Sequence, residues 1–386
     1  MSAGRSYDVV VVGAGIVGSA CAYFLARAGL TVAVVERGTV ASGTTSAGEG
    51  NLLVSDKEPG PEMDLALLSN GLWRELGEEL GPAAELEPKG GLVVAAGPRQ
   101  REQLDAFAAT QAAAGVQTRP VAPADLRELE PHLAPGLAGG VFYPQDMQVQ
   151  PMMAAALLLR LARGMGADVH LRTEVTGVQT AAGRVTGVRT SRGVLAAGQV
   201  VNAAGPWAGE LAALAGLKLP VLPRRGFIVV TEPLPVLIRH KVYTADYVAN
   251  VASGSAGLET STVIEGTAGG TILIGASRER VGFDRDSSLR VVGMLAGQAM
   301  RLFPVLAEAR AIRFYRGFRP YCPDHLPVIG ADDRLPGLLH ACGHEGAGVG
   351  LAPVTGQLIA QVAAGQAPSL PLAPLRPTRF EELASA

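Results

Sequence analysis

Gly13-Ala14-Gly15-Ile16-Val17-Gly18 is a Gly-x-Gly-x-x-Gly run, and Glu36 follows 18 residues after its last glycine. Types and spacing here suit phosphate chemistry. The first glycine makes a tight turn, the second lets backbone approach a pyrophosphate, and the third lets a helix pack closely on the preceding strand. Free N–H groups and the dipole at that helix's start favour the anion. A carboxylate at position 36 accepts hydrogen bonds from ribose hydroxyls and repels a 2′-phosphate, which disfavours NADP. Arg319, in Gly317-Phe318-Arg319-Pro320, offers a planar fork that matches a carboxylate, with a surface ion pair left open by residue type alone. His344 could donate to a ligand or serve a structural role, and Tyr243, Tyr247 and Tyr321 could line a pocket. Cys21, Cys322 and Cys342 show no C-x-x-C spacing and no adjoining basic cluster, so a disulfide framework, a cysteine metal site and a thiol nucleophile are not expected.

These groups need elements to hold them. Val9-Val10-Val11-Val12 is a β-branched run, as expected of a strand covered on both faces in a parallel sheet. Residues 19–28 are good helix formers with Gly29 as a stop, and 31–35 read as a second strand, giving a βαβ unit. Segment 39–51 is small and polar, with backbone that can approach a ligand. Helices are predicted at 63–80, 99–114, 151–163 and 352–364, strands at 90–95 and 167–172, and a hairpin joining 175–178 to 185–190. Residues 120–135, rich in proline, read as a connector, and Val200-Val201 as a strand that opens onto Asn202-Ala203-Ala204-Gly205-Pro206-Trp207. From 221 to 319 the pattern is alternating and punctuated by glycine, which favours an antiparallel sheet with one helix near 289–303. The tail then returns to the first texture. The expected fold class is α/β and α+β: a Rossmann-like domain from 1–85, 145–220 and 322–386, interleaved with a mostly antiparallel β-sheet substrate domain from 86–144 and 221–321.

Composition sets the outer bounds. At 386 residues the chain exceeds the roughly 100–200 of one ordinary domain. It is 48% hydrophobic and 18% charged, too apolar for a disordered chain. A net charge of −2 supplies no global field for nucleic acid or an anionic membrane. Residues 9–26 carry no charge, but Gly13, Gly15 and Gly18 interrupt them, so neither a signal peptide nor a membrane span is expected. A cytoplasmic location follows.

Taken together, the N-terminal fingerprint, Thr44-Thr45-Ser46, the Asn202–Trp207 turn, Gly317-Phe318-Arg319-Pro320, Pro323-Asp324-His325-Leu326-Pro327-Val328-Ile329-Gly330 and Gly343-His344-Glu345-Gly346-Ala347-Gly348-Val349-Gly350 resemble the D-amino-acid oxidase superfamily. The resemblance covers nearly the whole chain and includes glycine oxidase, sarcosine oxidase and the FAD subunits of D-hydroxyproline dehydrogenase, opine oxidase and hydrogen cyanide synthase. Arg278-Glu279-Arg280-Val281-Gly282-Phe283-Asp284 and the 343–350 run are most similar to the last group.

The resemblance implies FAD and oxidation of a C–N bond beside a carboxylate. It places the pyrophosphate at Gly13–Gly18, the adenosine ribose at Glu36, with Arg37 also at the cofactor, and the adenine at the backbone of Val175. Thr44, Thr45, Glu49, Gly50, Asn51, Ala204, Gly205 and Trp207 would flank the cofactor, and His344, Glu345, Gly346, Ala347, Gly348, Val349 and Gly350 would close over the flavin. Arg319 would hold the substrate carboxylate. Glu49 departs from the pattern: a bare carboxylate there would oppose a reduced, anionic flavin, so its side chain is expected to turn away or pair. Gly317 stands where the sarcosine-oxidase branch has a flavin-linking cysteine, which implies non-covalent FAD. Gly346 stands where glycine oxidase has a second substrate arginine, so substrate identity does not transfer.

The expected substrate is a D-amino or cyclic secondary amino acid such as D-hydroxyproline, with glycine, sarcosine and opines next. One alternative is a flavin-bearing subunit of a homo- or hetero-oligomeric electron-transfer complex, and another an NAD-dependent dehydrogenase. The lysines are Lys57, Lys89, Lys218 and Lys241, and Leu273 occupies the position of the oxygen-promoting lysine in sarcosine oxidase. The implied electron acceptor is therefore a quinone, a dye or a partner subunit before oxygen.

Overall fold

A computed structural model describes residues 6–247 and 253–381. The strand Ser6–Val12 lies between Val32–Val35 and Gly193–Asn202, parallel to both, with Asp168–His170 beyond Val32–Val35. Val9, Val10 and Val11 are fully buried because helices cover one face of the sheet and the 175–190 meander with Leu211 covers the other, which is why this strand is a continuous apolar run. The strand Leu338–Cys342 extends the sheet on the other side, and Val328–Ala331 closes that edge antiparallel. Gly193–Asn202 is longer than the Val200-Val201 pair suggests. Its start, 193–196, continues the antiparallel meander from Val175–Ala181 and Arg184–Thr190, and from Ala196 onward it pairs parallel with Ser6–Val12.

The helix Ile16–Arg27 starts three residues earlier than predicted, because Gly15 is its N-cap and Gly18 sits inside the first turn. It packs against the helix Ala352–Ala363, where a Cβ on Gly356 would stand 2.7 Å from the carbonyl oxygen of Ala20. Glycine is what allows two helices so close.

A second eight-stranded sheet runs in the order Ala311–Tyr321, Leu222–Thr231, Ile272–Arg278, Glu259–Gly266, Lys241–Thr244, Gly91–Ala95, Gly139–Tyr143, Arg119–Val121. It is antiparallel as expected, except that Lys241–Thr244 pairs parallel with Gly91–Ala95, a join between segments far apart in sequence. The helix Leu289–Leu302 covers it, capped by Ser288, and buries Val291, Leu295, Ala299 and Leu302. The proline-rich connector contains the edge strand Arg119–Val121 and one turn of helix, Leu126–Leu129. Among the described residues, no helix is long and apolar enough to cross a membrane.

Candidate active site

Where the two sheets meet, a cavity of about 760 Å³ runs from Glu36 and Gly13 to Arg319. At its first end the three glycines differ in what a side chain would meet. A Cβ on Gly13, whose φ is +113°, would lie 2.4 Å from the Ala203 carbonyl oxygen, and one on Gly18 only 2.0 Å from that of Gly13. Those two are required by packing. A Cβ on Gly15 would meet Thr45 Oγ1 at 3.1 Å and otherwise project towards the cavity, so its absence leaves room for a phosphate against the helix start. Glu36 is held in place by two backbone N–H groups, one from the glycine turn and one from its own loop: Oε2 accepts from Ala14 N at 3.0 Å and Oε1 from Gly38 N at 2.7 Å. Arg37 lies 4.0 Å over the Trp207 ring, which stacks on Phe283. Ile16, Val17, Thr44, Val175, Ala204 and Gly205 also line this stretch. An adenine dinucleotide fits this donor set.

Not every predicted position reaches the cavity. Ala14 is buried and spends its amide on Glu36. Gly50 gives its amide to Glu265, and a Cβ there would fall 1.9 Å from the Val149 carbonyl oxygen. Ala347 and Gly350 line a minor crevice beside the main cavity. Two tyrosines are corrections. Tyr243 is fully buried with its hydroxyl on Ser55, and Tyr321 packs edge-on to His325 beneath Arg224, so neither lines the cavity, whereas Tyr247 does.

The far end is charged. Arg319 stands on Ala311–Tyr321, lies across Gly226 of the neighbouring strand, and donates from Nη1 to the Ser277 carbonyl at 2.8 Å. A Cβ on Gly226 would lie 2.1 Å from that nitrogen. Burial, then the nearby Arg278, pulls the Arg319 pKa below its usual value. Glu49 also lines the cavity, with its side chain 5% exposed, Oε2 accepting from Asn51 Nδ2 at 3.2 Å and Oε1 standing 3.9 Å from Lys241 Nζ. Lys241 is itself fully buried and bonded to Glu265. Burial raises the Glu49 pKa, with Lys241 the strongest opposing influence. For Lys241, burial opposes the charge, but Glu265 and Glu49 outweigh it. The expectation that Glu49 turns away or pairs is met only in part, since it keeps an ion-pair neighbour and remains at the cavity.

Residues 8–362 match the DAO family, described as FAD dependent oxidoreductase. The chain belongs to this family. The FAD-dependent oxidoreductase is 30% identical to hydrogen cyanide synthase subunit HcnC of Pseudomonas aeruginosa, over 98% of this chain and 97% of that protein. It is 33% identical to glycine oxidase of Geobacillus kaustophilus, over 97% of each. The crystal structure of that glycine oxidase superposes with a TM-score of 0.89 at 31% identity, covering 97% of this chain and 99% of that one. L-proline dehydrogenase from P. horikoshii superposes with a TM-score of 0.89 at 25% identity, over 98% of both chains. The Rossmann-like first sheet and antiparallel second sheet are thus the family's fold.

In this oxidoreductase the loop 343–350 is pinned from behind. Trp73 Nε1 and Ser69 Oγ donate to the Gly350 carbonyl at 3.0 and 2.6 Å, from the helix Pro61–Leu80. Arg224, fully buried, holds Glu345 at 2.6 Å, and His325 meets its other oxygen at 2.8 Å. His344 lines the cavity but commits Nε2 to Thr355 Oγ1 at 2.9 Å, and burial pushes its pKa down to about 3. The ring stays neutral, which favours positioning over acid–base work.

The residue reading missed Lys241 and Glu265. No local signal marks them: Lys241 closes the basic run Arg239-His240-Lys241, and only folding buries it against Glu265. Cys322 and Cys342 are buried; burial pushes the Cys322 thiol up to about 12 and the Cys342 thiol well above its usual value.

Proposed function

We propose that this chain oxidises the C–N bond of a carboxylate-bearing amine, a D-amino acid or a cyclic secondary amino acid such as D-hydroxyproline, with non-covalently bound FAD. The observation that carries the reading is Arg319, a half-buried guanidinium lining the same cavity as the Gly13–Gly18 turn and Glu36, with one nitrogen on Ser277. Such a fork suits a carboxylate bidentately. Bound FAD supplies a two-electron acceptor for the hydride that leaves the substrate's Cα. Arg319 fixes the carboxylate and Tyr247 bounds the pocket, so orientation supplies much of the catalysis. Gly13–Gly18, Glu36, Thr44, Thr45 and the 343–350 loop would hold the cofactor. Gly317 supports the non-covalent mode, because a Cβ there would lie 2.7 Å from the Ala47 carbonyl oxygen and no thiol can stand at that position without a shift.

The test is anaerobic bleaching of the flavin against a panel of amino and imino acids, followed by acid precipitation. Bleaching by amino acids, with FAD mass in the supernatant, is expected. Failure of every member to bleach, or colour retained in the pellet, would overturn the substrate or the linkage reading respectively.

A second reading is favoured by a relative, hydrogen cyanide synthase subunit HcnC, which is one subunit of its enzyme. In that reading the chain passes electrons onward within a hetero-oligomer. Turnover of the purified lone chain with an artificial dye, unchanged by candidate subunits, would exclude it.

A further inference from the structure

Among the described residues, two buried oxygens in the charged end of the cavity lack a hydrogen-bond donor: Glu49 Oε1 and Asn51 Oδ1. Both residues line the cavity, and the bond from Asn51 Nδ2 to Glu49 Oε2 at 3.2 Å ties them together and fixes which side of the amide is oxygen. Buried acceptors without donors are costly unless something supplies N–H or O–H. Lys241 does not meet this need. Its ammonium is bonded to Glu265 and stands 3.9 Å from Glu49 Oε1, beyond hydrogen-bond range. Glu265 in turn accepts from Gly50 N at 3.2 Å, so that pair braces the loop carrying Glu49. Tyr247 and Tyr315 also feel the Glu49 charge; Tyr315 donates to the Gly48 carbonyl at 3.1 Å.

Opposite these acceptors is Arg319. The guanidinium lies over Gly226, while Glu49 Oε1 lies over Gly275 on the adjoining strand, 2.8 Å from where a Cβ would be. A cation and an anion thus share one cavity without bonding each other. That is the complement of a zwitterion.

We propose that Glu49 and Asn51 form the amine subsite of this cavity, receiving the N–H groups of a substrate ammonium while Arg319 takes its carboxylate. The inference rests on the proposed C–N oxidation and narrows it. The site selects amino and imino acids with at least two N–H donors in their protonated form over hydroxy acids and simple carboxylates of the same shape.

Two matched pairs test it with the holoenzyme: D-proline against tetrahydrofuran-2-carboxylate, and glycine against acetate. Half-saturation of anaerobic flavin reduction reports the amines, and perturbation of the flavin absorbance reports the amine-free partners. Glu49→Gln should weaken the amine members by roughly ten- to hundredfold, the loss of a hydrogen bond to a charged group, and leave the amine-free members equal or tighter. Arg319→Leu should weaken both members. If Glu49→Gln loses flavin, Glu49→Asp is read instead, and it should retain part of the discrimination. Equal loss for both members of each pair, or a changed flavin potential with discrimination intact, overturns the amine subsite. If no amine reduces the wild-type flavin, the proposed function itself fails, a result distinguishable from loss of discrimination alone.

Discussion

Arg319 has no carboxylate ion pair among the described residues, and its only hydrogen bond there is to the Ser277 carbonyl. A half-buried guanidinium left in that state is poised for an anion. Arg319→Leu should therefore raise KM for carboxylate substrates with flavin retained, lowering kcat/KM by about thirtyfold to several thousandfold, the range for breaking a buried charge pair. Steady-state kinetics on the flavin-loaded variant checks this, and a change under about threefold would return Arg319 to a structural role. His344 makes the opposite prediction. Burial holds its pKa at about 3, below that of an unfolded histidine. The unfolded chain then binds a proton that the folded one refuses, so the stability His344 contributes is fully present above about pH 6.5 and falls away as pH drops towards 3. Between those limits the folded ring does not ionise. The pH profile of kcat/KM should accordingly follow the substrate amine, moving with its pKa across a substrate series. An inflection that stays fixed across the series and vanishes in His344→Ala would make His344 a base.

Elements carry the next level of control, through positions where a side chain cannot be added. Gly226 lies on Leu222–Thr231 exactly where Arg319 crosses from the paired strand, and a Cβ would meet both Arg319 Nη1 at 2.1 Å and the Ser277 carbonyl oxygen at 2.4 Å. Arginine can shift, but strand backbone cannot do so cheaply. Gly226→Ala is expected to reproduce the KM defect of Arg319→Leu while the protein stays folded and yellow; normal KM would show that Arg319 acts from another rotamer. Much at this scale was legible. Val9–Val12 and the glycine spacing announced the βαβ unit because buried parallel strands and phosphate turns each demand a narrow set of residues. The helix start was misplaced by three residues because Gly18, a poor helix former, is tolerated inside the first turn for its close approach to Gly13. Tyr243 and Tyr321 were misassigned because a tyrosine's residue type does not distinguish a core hydroxyl on Ser55 from a pocket wall.

Over the whole molecule, the charged cluster was illegible because folding, not sequence proximity, assembles it. Gly50 and Glu265 are 215 positions apart, and Lys241 reaches Glu265 across the antiparallel pairing of Lys241–Thr244 with Glu259–Gly266, which no local pattern signals. That cluster bears on the electron acceptor. A positive charge near a reduced flavin assists oxygen by stabilising developing superoxide, and Leu273 stands where the resemblance to sarcosine oxidase implies such a lysine. The structure supplies another lysine, Lys241, but surrounds it with Glu265 and Glu49. Two carboxylates about one ammonium leave no net cation to offer, and Coulomb attraction at such short range in a buried setting is strong. Arg319 lines this end of the cavity with Arg278 close to it, Arg37 and Arg285 also belong to the lining, and in the proposed reaction a substrate or product carboxylate neutralises Arg319. We therefore predict that reduced enzyme passes electrons to a quinone, a dye or a partner subunit faster than to oxygen. Stopped-flow reoxidation of substrate-reduced protein decides the matter: bleached flavin should recover slowly in air-saturated buffer and quickly with dye, and recovery in air as fast as dye-linked turnover would make this an oxidase.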